Sequence, residues 1–247
     1  MRNKYADMIR DLSSLGIDLT DKQLAQFDKY YELLIKWNEV MNLTAITDFD
    51  SVCKLHFVDS LSAYKYFNFA KDEYTLIDVG TGAGFPGIPL KIVFPNLKVT
   101  LLDSLNKRLN FLNEVIENLD LNEKASIVTL HGRAEDYSST SNSNSLRESF
   151  DIAVSRAVAN LSTLSEYCLP YVKIGGKFIA YKSEKAGEEL SKAKGAIHLL
   201  GGKLSDSPEF ILPNSEYNRT ICIIDKKEKT SAKYPRKAGV PSKKPLS

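Results

Sequence analysis

The fold of this chain is decided by the stretch Leu76-Ile-Asp-Val-Gly-Thr-Gly-Ala-Gly-Phe-Pro-Gly-Ile-Pro89. An apolar, β-like run ends at Asp78-Val79, glycines follow at positions 80, 82, 84 and 87, and a helical segment then begins. Glycine lets a backbone approach a ligand closely, and the first-turn N–H groups of a helix offer hydrogen-bond donors. A strand that leads into a glycine-rich turn and a helix is therefore typical of a nucleotide-binding unit.

The second half of this signal lies downstream, in the run Lys98-Val-Thr-Leu-Leu-Asp103. Its pattern predicts the next strand, which ends in an acid. Asp103 lies 23 residues after Gly80. This spacing suits a carboxylate that binds both hydroxyls of a ribose.

Two classes of cofactor are bound by this layout, and the glycine spacing separates them. Dinucleotide enzymes use G-x-G-x-x-G. Counted from Gly80, the third glycine would fall on Phe85. Counted from Gly82 it falls on Gly87, but Pro86 would then stand in the pyrophosphate turn, where it has no N–H to donate.

The pattern acid-x-G-x-G-x-G fits better, running from Asp78 to Gly84. This pattern is typical of S-adenosylmethionine enzymes, which hold no pyrophosphate. It favours S-adenosylmethionine over NAD, and a glycine-rich turn without a ligand is the third interpretation. Asp78, Gly80, Gly82, Gly84 and Phe85 are the candidate cofactor residues of this loop.

Strand and helix patterns alternate from residue 74 onwards, which predicts an α/β fold with a doubly wound, mostly parallel sheet. The last two strands are joined by a short turn without a helix and should pair antiparallel. Seven strands with an antiparallel final strand are usual for S-adenosylmethionine methyltransferases, whereas the dinucleotide fold more often has six parallel strands. The predicted strands are 75–79, 98–102, 126–131, 150–154, 176–181, 209–212 and 219–225, and the predicted helices are 87–94, 106–119, 158–170 and 184–200.

Three regions follow from these patterns. Residues 1–70 show helical periodicity, with Thr20 or Asp21 as a cap, and predict a small helical subdomain. Residues 71–225 form the predicted cofactor-binding domain, and residues 226–247 a basic tail. The serine-rich run 138–145 is expected to be mobile and unable to bury side chains.

Composition is that of an ordinary globular protein, 43% hydrophobic and 26% charged. No run approaches the roughly 18 apolar residues of a membrane span, and the N-terminus lacks the apolar core of a secretion signal. Three isolated cysteines and three histidines do not predict a zinc site, and His56 is interpreted as a hydrogen-bonded packing residue. We expect a cytoplasmic, metal-free monomer.

The charge is unevenly distributed. Eight of the 33 basic residues and two of the 31 acidic residues lie between Asp225 and Ser247, a balance of +6 there and −4 elsewhere. A basic tail on a slightly acidic body suits a polyanionic partner. Two alternatives stay open: a merely solvated terminus, and a tail that folds back with Tyr234 packed on the body and Arg236 paired to an acid.

Ligands of open α/β sheets bind at the carboxyl ends of the strands. Beyond the glycine loop, the residues there are Asp103-Ser104, Arg133 to Asp136, Ser155 to Ala157, and Lys182. Cytosine-C5 methylation needs a cysteine nucleophile at such an end, and adenine N6 methylation an Asn/Asp-Pro-Pro-aromatic element after strand four. The sequence has neither, which leaves a nitrogen with a free lone pair, such as guanine N7, or a small molecule.

Arg156 follows the fourth strand, where the methyl donor is expected, and is the candidate catalytic residue. A bidentate bond to guanine O6 and N7 would block N7. The alternatives are a bond to O6 alone, to a phosphate or to the cofactor carboxylate, or a structural ion pair. N7 attack needs no general base, so the enzyme would contribute mainly in-line positioning.

These motifs resemble those of a known family, the bacterial 16S ribosomal RNA small-subunit methyltransferase G family, formerly glucose-inhibited division protein B. The resemblance spans nearly the whole chain and includes the N-terminal runs Met41-Asn-Leu-Thr-Ala-Ile46 and His56 to Leu61. Its other motifs are Asp78 to Pro89, Leu101-Leu-Asp-Ser-Leu105, Arg133-Ala-Glu135, Ser155-Arg-Ala-Val-Ala159, Cys168-Leu-Pro170 and Lys233-Tyr-Pro-Arg-Lys-Ala-Gly239.

The resemblance implies methylation of guanine N7 in the 530 loop of 16S rRNA, with naked rRNA or a precursor of the small subunit as substrate. A cofactor-binding assembly protein without catalysis and an NAD-linked oxidoreductase are the alternatives. The resemblance implies cofactor contacts at Gly80, Phe85, Ala134, Glu135 and Arg156, to which the general fold adds Asp103 and Ser104. Candidate RNA-binding residues are Lys182, Arg219, Lys233, Arg236 and Lys237.

Overall fold

The centre of the protein is a mixed β-sheet, seen in a computed structural model that describes residues 1–156, 159–183 and 186–247. Its strands, numbered along the chain, are β1 (Thr75–Val79), β2 (Lys98–Asp103), β3 (Ile127–His131), β4 (Phe150–Arg156), β5 (Val172–Ser183), β6 (Gly202–Asp206), β7 (Glu209–Ile211) and β8 (Asn218–Lys226).

The strand order is β3-β2-β1-β4-β5-β8-β6, with β7 also paired to β8. The first five strands are parallel, whereas β8 is antiparallel to β5, β6 and β7. The α/β, mostly parallel prediction is thus confirmed, as is the antiparallel pairing of the last two predicted strands. An eighth strand, β6, was not predicted. β6 and β7 pair with the same edge of β8 and are separated by Ser207-Pro208, so they act as one interrupted edge strand.

Helices cover both faces of the sheet because neighbouring strand residues point to opposite faces. Leu76 packs into a core with helices α2, α5 and α6, and Ile77 into a core with α8 and α9. The helices are α1 (Ala6–Ser14), α2 (Asp21–Met41), α3 (Phe49–Val52), α4 (Asp59–Leu61), α5 (Gly87–Val93), α6 (Asn106–Asn118), α7 (Ala134–Ser138), α8 (Leu161–Cys168), α9 (Ala186–Leu199) and α10 (Val240–Lys243). Two predicted helices, 158–170 and 184–200, begin at residues that lie outside the described part of the chain, which omits 157–158 and 184–185.

The N-terminal 70 residues are helical, as predicted. Thr20 caps α2 in a reciprocal pair of hydrogen bonds with Gln23. A π-helical turn, Cys53–Val58, joins α3 to α4, and a 3₁₀ turn, Ser62–Lys65, follows. Such π turns are often found at functional sites. No helix in the described ranges is long and apolar enough to cross a bilayer.

The C-terminal residues pack against the body. Tyr234 is half-buried against the core that contains α8, and Arg236 pairs with the buried Glu166. The structure therefore shows the fold-back alternative, not a freely extended tail. The division into three regions at residues 70 and 225 stays a prediction. The serine-rich run was expected to bury nothing, but Ser138 ends α7 and is fully buried.

Candidate active site

A cavity of about 690 Å³ lies at the carboxyl ends of β1, β2 and β4. It forms there because parallel strands present their carboxyl ends, and the loops that follow them, at one edge of a sheet. Several segments that are far apart in sequence therefore contribute to its lining. Eight of the ten candidate cofactor-binding residues line it: Gly80, Gly82, Phe85, Asp103, Ser104, Ala134, Glu135 and Arg156.

The glycine loop is tied to the end of β2. Gly80 N and Thr81 N donate to Leu102 O, and Gly82 N donates to Asp103 Oδ2 at 2.9 Å. Gly82 has φ +60°, and a Cβ built on it would meet no atom within 4 Å. The space beside Gly82 is thus part of the cavity, which leaves the loop backbone open to a ligand.

Asp103 lines the cavity although it is only 3% exposed. Its Oδ1 accepts from Leu105 N at 2.9 Å, and its Oδ2 accepts from Gly82 N and from Arg108 at 3.3 Å. A carboxylate can accept about four hydrogen bonds. These contacts fix the orientation of the group and leave acceptor capacity for a ligand hydroxyl.

Asp78 and Gly84 lie beneath the loop, outside the cavity lining. Asp78 Oδ2 accepts from the Thr81 hydroxyl at 2.8 Å and from Gly87 N at 2.9 Å, so the carboxylate holds the two ends of the loop together. Burial raises the pKa of Asp78 to about 7. A Cβ at Gly84 would lie 2.6–2.9 Å from side-chain atoms of Ile88, Tyr30 and Leu112. Glycine is required at position 84 by packing inside the protein.

The helical N-terminal region supports the loop directly. The hydroxyl of Tyr30, on α2, is fully buried and donates to Ala83 O at 2.5 Å. Leu43 and Thr44, just after α2, line the cavity. This region is therefore part of the site as well as of the fold.

Arg156, at the end of β4, is held by the π turn. Its Nη1 donates to Leu55 O and to Asp59 Oδ2, both at 3.0 Å, and its Nη2 donates to His56 Nδ1 at 3.2 Å. The guanidinium carbon lies 5.0 Å from the centre of the Phe85 ring. Three donors of the guanidinium are thus engaged within the protein, and its plane is fixed at the cavity wall.

His56 is neutral in this arrangement. Its Nδ1 lies 3.2 Å from both Arg156 Nη2, which can only donate, and Leu55 O, which can only accept, and its Nε2 lies 2.8 Å from the Thr44 hydroxyl. Burial and the charge of Arg156 lower the pKa of His56 to about 4. The packing interpretation of His56 is consistent with these contacts, and the residue also lines the cavity.

A second cavity, of about 330 Å³, adjoins the first. His56 and Arg156 line both cavities and form the boundary between them. The floor of the second cavity contains Asp59, whose Oδ1 accepts from Arg219 Nε at 2.8 Å and whose Oδ2 accepts from Arg156. This carboxylate therefore holds both arginines in place.

The five candidate RNA-binding residues occupy different environments. Lys182 and Arg219 line the second cavity, where Lys182 pairs with Glu189 at 2.6 Å and Arg219 pairs with Asp59. Arg236 is engaged by Glu166 at 2.6 Å. Lys233 and Lys237 are exposed. In the described part of the chain, no group of three or more His, Cys, Asp or Glu side chains could hold a metal ion.

Sequence reasoning missed the cavity residues that arrive from distant segments. Thr44, Tyr167, Gly239 and Ser242 all line the larger cavity. Thr44 and Gly239 lie in sequence runs that carry the family resemblance. That resemblance is the sequence signal that could have identified these two cavity residues. Ala157, expected at the end of strand four, lies outside the described residues.

Comparison with known proteins decides the family. The model of the family described as rRNA small subunit methyltransferase G matches residues 23–218. A Ribosomal RNA small subunit methyltransferase G from Exiguobacterium sibiricum is 52% identical over 95% of this chain and 96% of its own length. The chain belongs to the rRNA small subunit methyltransferase G family. Its relative of the same name from Lachnoclostridium phytofermentans is 53% identical over 96% of both chains.

Solved structures agree with the fold at low sequence identity. M. jannaschii TYW2, crystallised in complex with AdoMet, superposes with a TM-score of 0.52 at 15% identity, over 68% of this chain and 76% of that chain. An S-adenosylmethionine-dependent methyltransferase from Aquifex aeolicus gives 0.51 at 19% identity, over 72% and 94%. These likenesses show a shared methyltransferase fold.

Membership of the family settles the cofactor class that the glycine motif left open, because methyltransferases of this kind use S-adenosylmethionine and not NAD. The residues present fit that cofactor. The loop backbone is open at Gly82, and the oriented carboxylate of Asp103 faces the cavity. The chain is therefore an S-adenosylmethionine-dependent rRNA methyltransferase.

Proposed function

We propose that this chain methylates N7 of a guanine in the 530 loop of 16S rRNA. One observation carries the proposal: a cofactor-sized cavity at the glycine loop adjoins a smaller cavity across Arg156 and His56. Methyl transfer needs donor and acceptor in line and in contact. Two cavities that share a wall provide places for both.

The larger cavity would hold the cofactor. The loop from Gly80 to Gly82 would lie along it, Asp103 would accept from ribose hydroxyls, and Ala134 and Glu135 would contact the adenosine end. S-adenosylmethionine supplies an electrophilic methyl group. Phe85 packs with His56 and Arg156 and forms an apolar wall at this position, which excludes water from the reacting atoms.

The smaller cavity would accept the target guanine. N7 of guanine already carries a lone pair, so no general base is required. Burial and the charge of Arg156 lower the pKa of His56 to about 4, which makes this boundary residue a weak base. Arg156 has five N–H donors, of which three bond to Leu55, Asp59 and His56. A remaining donor can bind guanine O6 and leave N7 free to react. Arg156 is thus the proposed catalytic residue, acting by orientation.

The rRNA backbone would be bound around this entrance. Arg219 and Lys182 lie in the smaller cavity, and the exposed Lys233 and Lys237 supply further positive charge. Arg236 is engaged in an internal ion pair and is the weakest of the candidates. We propose that the protein acts as a monomer in the cytoplasm, where small subunits are assembled.

The test is methyl transfer by the purified chain to naked 16S rRNA and to isolated small subunits, followed by mass-spectrometric mapping of N7-methylguanine. We expect one modified guanine, in the 530 loop, and its loss from cells that lack the chain. Cofactor binding without methylation of either substrate would support the assembly-protein alternative. Modification at another nucleotide would refute the proposed target.

A further inference from the structure

The C-terminal segment, defined here as residues 230–243, reaches the cofactor cavity. Gly239 and Ser242 line that cavity together with the glycine loop and Glu135. The sequence suggested a tail for nucleic-acid binding, and the family assignment does not give these residues a role. Their position raises the question of what holds them there.

Two charged side chains of the body hold the segment. Arg147 donates to the backbone carbonyls of Thr230, Ser231 and Tyr234, the last at 2.7 Å. Glu166, which is fully buried on α8, accepts from Arg236 N, Nε and Nη2 at 2.6–3.1 Å. A buried carboxylate is costly without a partner. Docking of the segment is therefore specific and energetically significant.

Beyond Arg236 the segment contacts the cavity wall. Gly239 N donates to Glu135 Oε1 at 2.9 Å, and Thr163 Oγ1 donates to Pro241 O at 3.1 Å. Gly239 has φ +80°, a left-handed conformation that favours glycine and aims its N–H at the carboxylate. One oxygen of Glu135 is thus fixed by the segment, which sets the orientation of a group that faces the cofactor.

We propose that the C-terminal segment forms part of the cofactor-binding site. It orients Glu135 through Gly239 and closes the cavity beside Ser242. Cofactor binding and docking of the segment therefore stabilise each other, since any ligand that binds the docked form better shifts the equilibrium toward it. The proposal rests on the cofactor assignment and not on the rRNA target.

The first experiment uses the natural chain. Hydrogen exchange of backbone amides is measured with and without S-adenosylhomocysteine. We expect the amides of residues 236–240, and that of Gly239 above all, to exchange at least about fivefold more slowly with the ligand. Unchanged exchange in these residues, alongside protection of the loop at Gly82, would overturn the proposal.

The second experiment uses a variant that weakens docking of the C-terminal segment without leaving a buried charge unpaired. The double variant Glu166→Gln/Arg236→Gln is compared with Lys229→Gln, at an exposed position just before the segment. Calorimetry should show that the double variant binds S-adenosylhomocysteine about tenfold more weakly than the natural chain, and that the control variant binds it as tightly as the natural chain does. Binding within twofold of the natural chain would contradict the proposal. Neither readout requires RNA, so failure here is distinct from failure to methylate rRNA.

Discussion

The imidazole of His56 stacks on the ring of Phe85, with centroids 4.5 Å apart and planes inclined by 19°. His56 belongs to the π turn of the helical region, and Phe85 to the glycine loop. Arg156, from β4, contacts both rings. Three segments that are distant in sequence thus meet at the boundary between the two cavities.

The buried, neutral state of His56 makes stability depend on pH. Its pKa is lowered from 6.5 to about 4 in the folded protein, so below 6.5 the unfolded chain binds the proton more tightly. The stabilisation is present above pH 6.5 and is lost as the pH falls towards 4. Between pH 7.5 and 5.5 we expect a loss of about 1 kcal/mol in the free energy of unfolding, measured by urea unfolding.

His56→Gln is the control for this effect. Glutamine does not titrate, so the drop between pH 7.5 and 5.5 should shrink by about the same amount relative to the natural chain. Other titrating groups, including Asp78, are common to both proteins and cancel in the comparison. Equal pH dependence in the two proteins would mean that His56 is not buried as a neutral base.

Two glycines of the loop should respond differently to a methyl group. At Gly84, where φ is +96°, a Cβ would meet three side chains at 2.6–2.9 Å, so Gly84→Ala should cost about 1–3 kcal/mol in overpacking in addition to backbone strain, and lower Tm. At Gly82 the Cβ enters open space, and Gly82→Ala should cost about 1 kcal/mol for the left-handed conformation. Only Gly82→Ala should weaken cofactor binding in a folded protein, as calorimetry would show. The reverse pattern would contradict this division.

The loop and the strands around it could be predicted because their signals are local. The run from Asp78 to Gly84 contains, within a few consecutive residues, the acid and the glycines that form the turn. Parallel strands bring their carboxyl ends to one edge of the sheet. β6 could not be predicted, since Gly-Lys-Leu-Ser-Asp contains one large apolar residue and forms a strand only because β8 offers an edge.

The roles of individual site residues were harder to predict from the sequence than the location of the site. The acid of the motif, Asp78, has the spacing of a ligand, but burial places it beneath the loop, and sequence spacing does not encode depth. Gly239 and Tyr167 reach the cavity through tertiary packing, for which no local pattern exists. The pairing of Arg236 with Glu166 likewise required the fold.

Arg156→Ala should remain folded, because Asp59 keeps Arg219 as a charged partner at 2.8 Å. Methyl transfer should fall by about 10²-fold, since loss of orientation by an ångström has effects of this size. Lysine should rescue poorly because it lacks the planar guanidinium. Single-turnover rates on rRNA, with cofactor binding measured in parallel, provide the readout. Near-normal turnover would reduce Arg156 to a structural ion pair.

Truncation after Ile224 should destabilise the protein. It removes the partner of Glu166, which is fully buried, together with the buried Lys226 and Thr230. Loss of one partner from a buried pair costs about 3–5 kcal/mol. A large decrease in Tm is therefore expected, and truncation alone cannot show whether the segment binds RNA. An unchanged Tm would mean that the observed docking contributes little to stability.

The exposed lysines of the segment allow a cleaner test of RNA binding. Lys233 and Lys237 are exposed and take no part in the pair of Arg236 with Glu166, so Lys233→Gln/Lys237→Gln should leave Tm unchanged. If both contact phosphates, the slope of log K against log salt for rRNA binding should fall by about 1.4–1.8. The matched control is Lys203→Gln/Lys229→Gln, which removes two exposed charges beside the amino end of β6. Equal slopes in both variants would assign the phosphate contacts to the body, around Arg219.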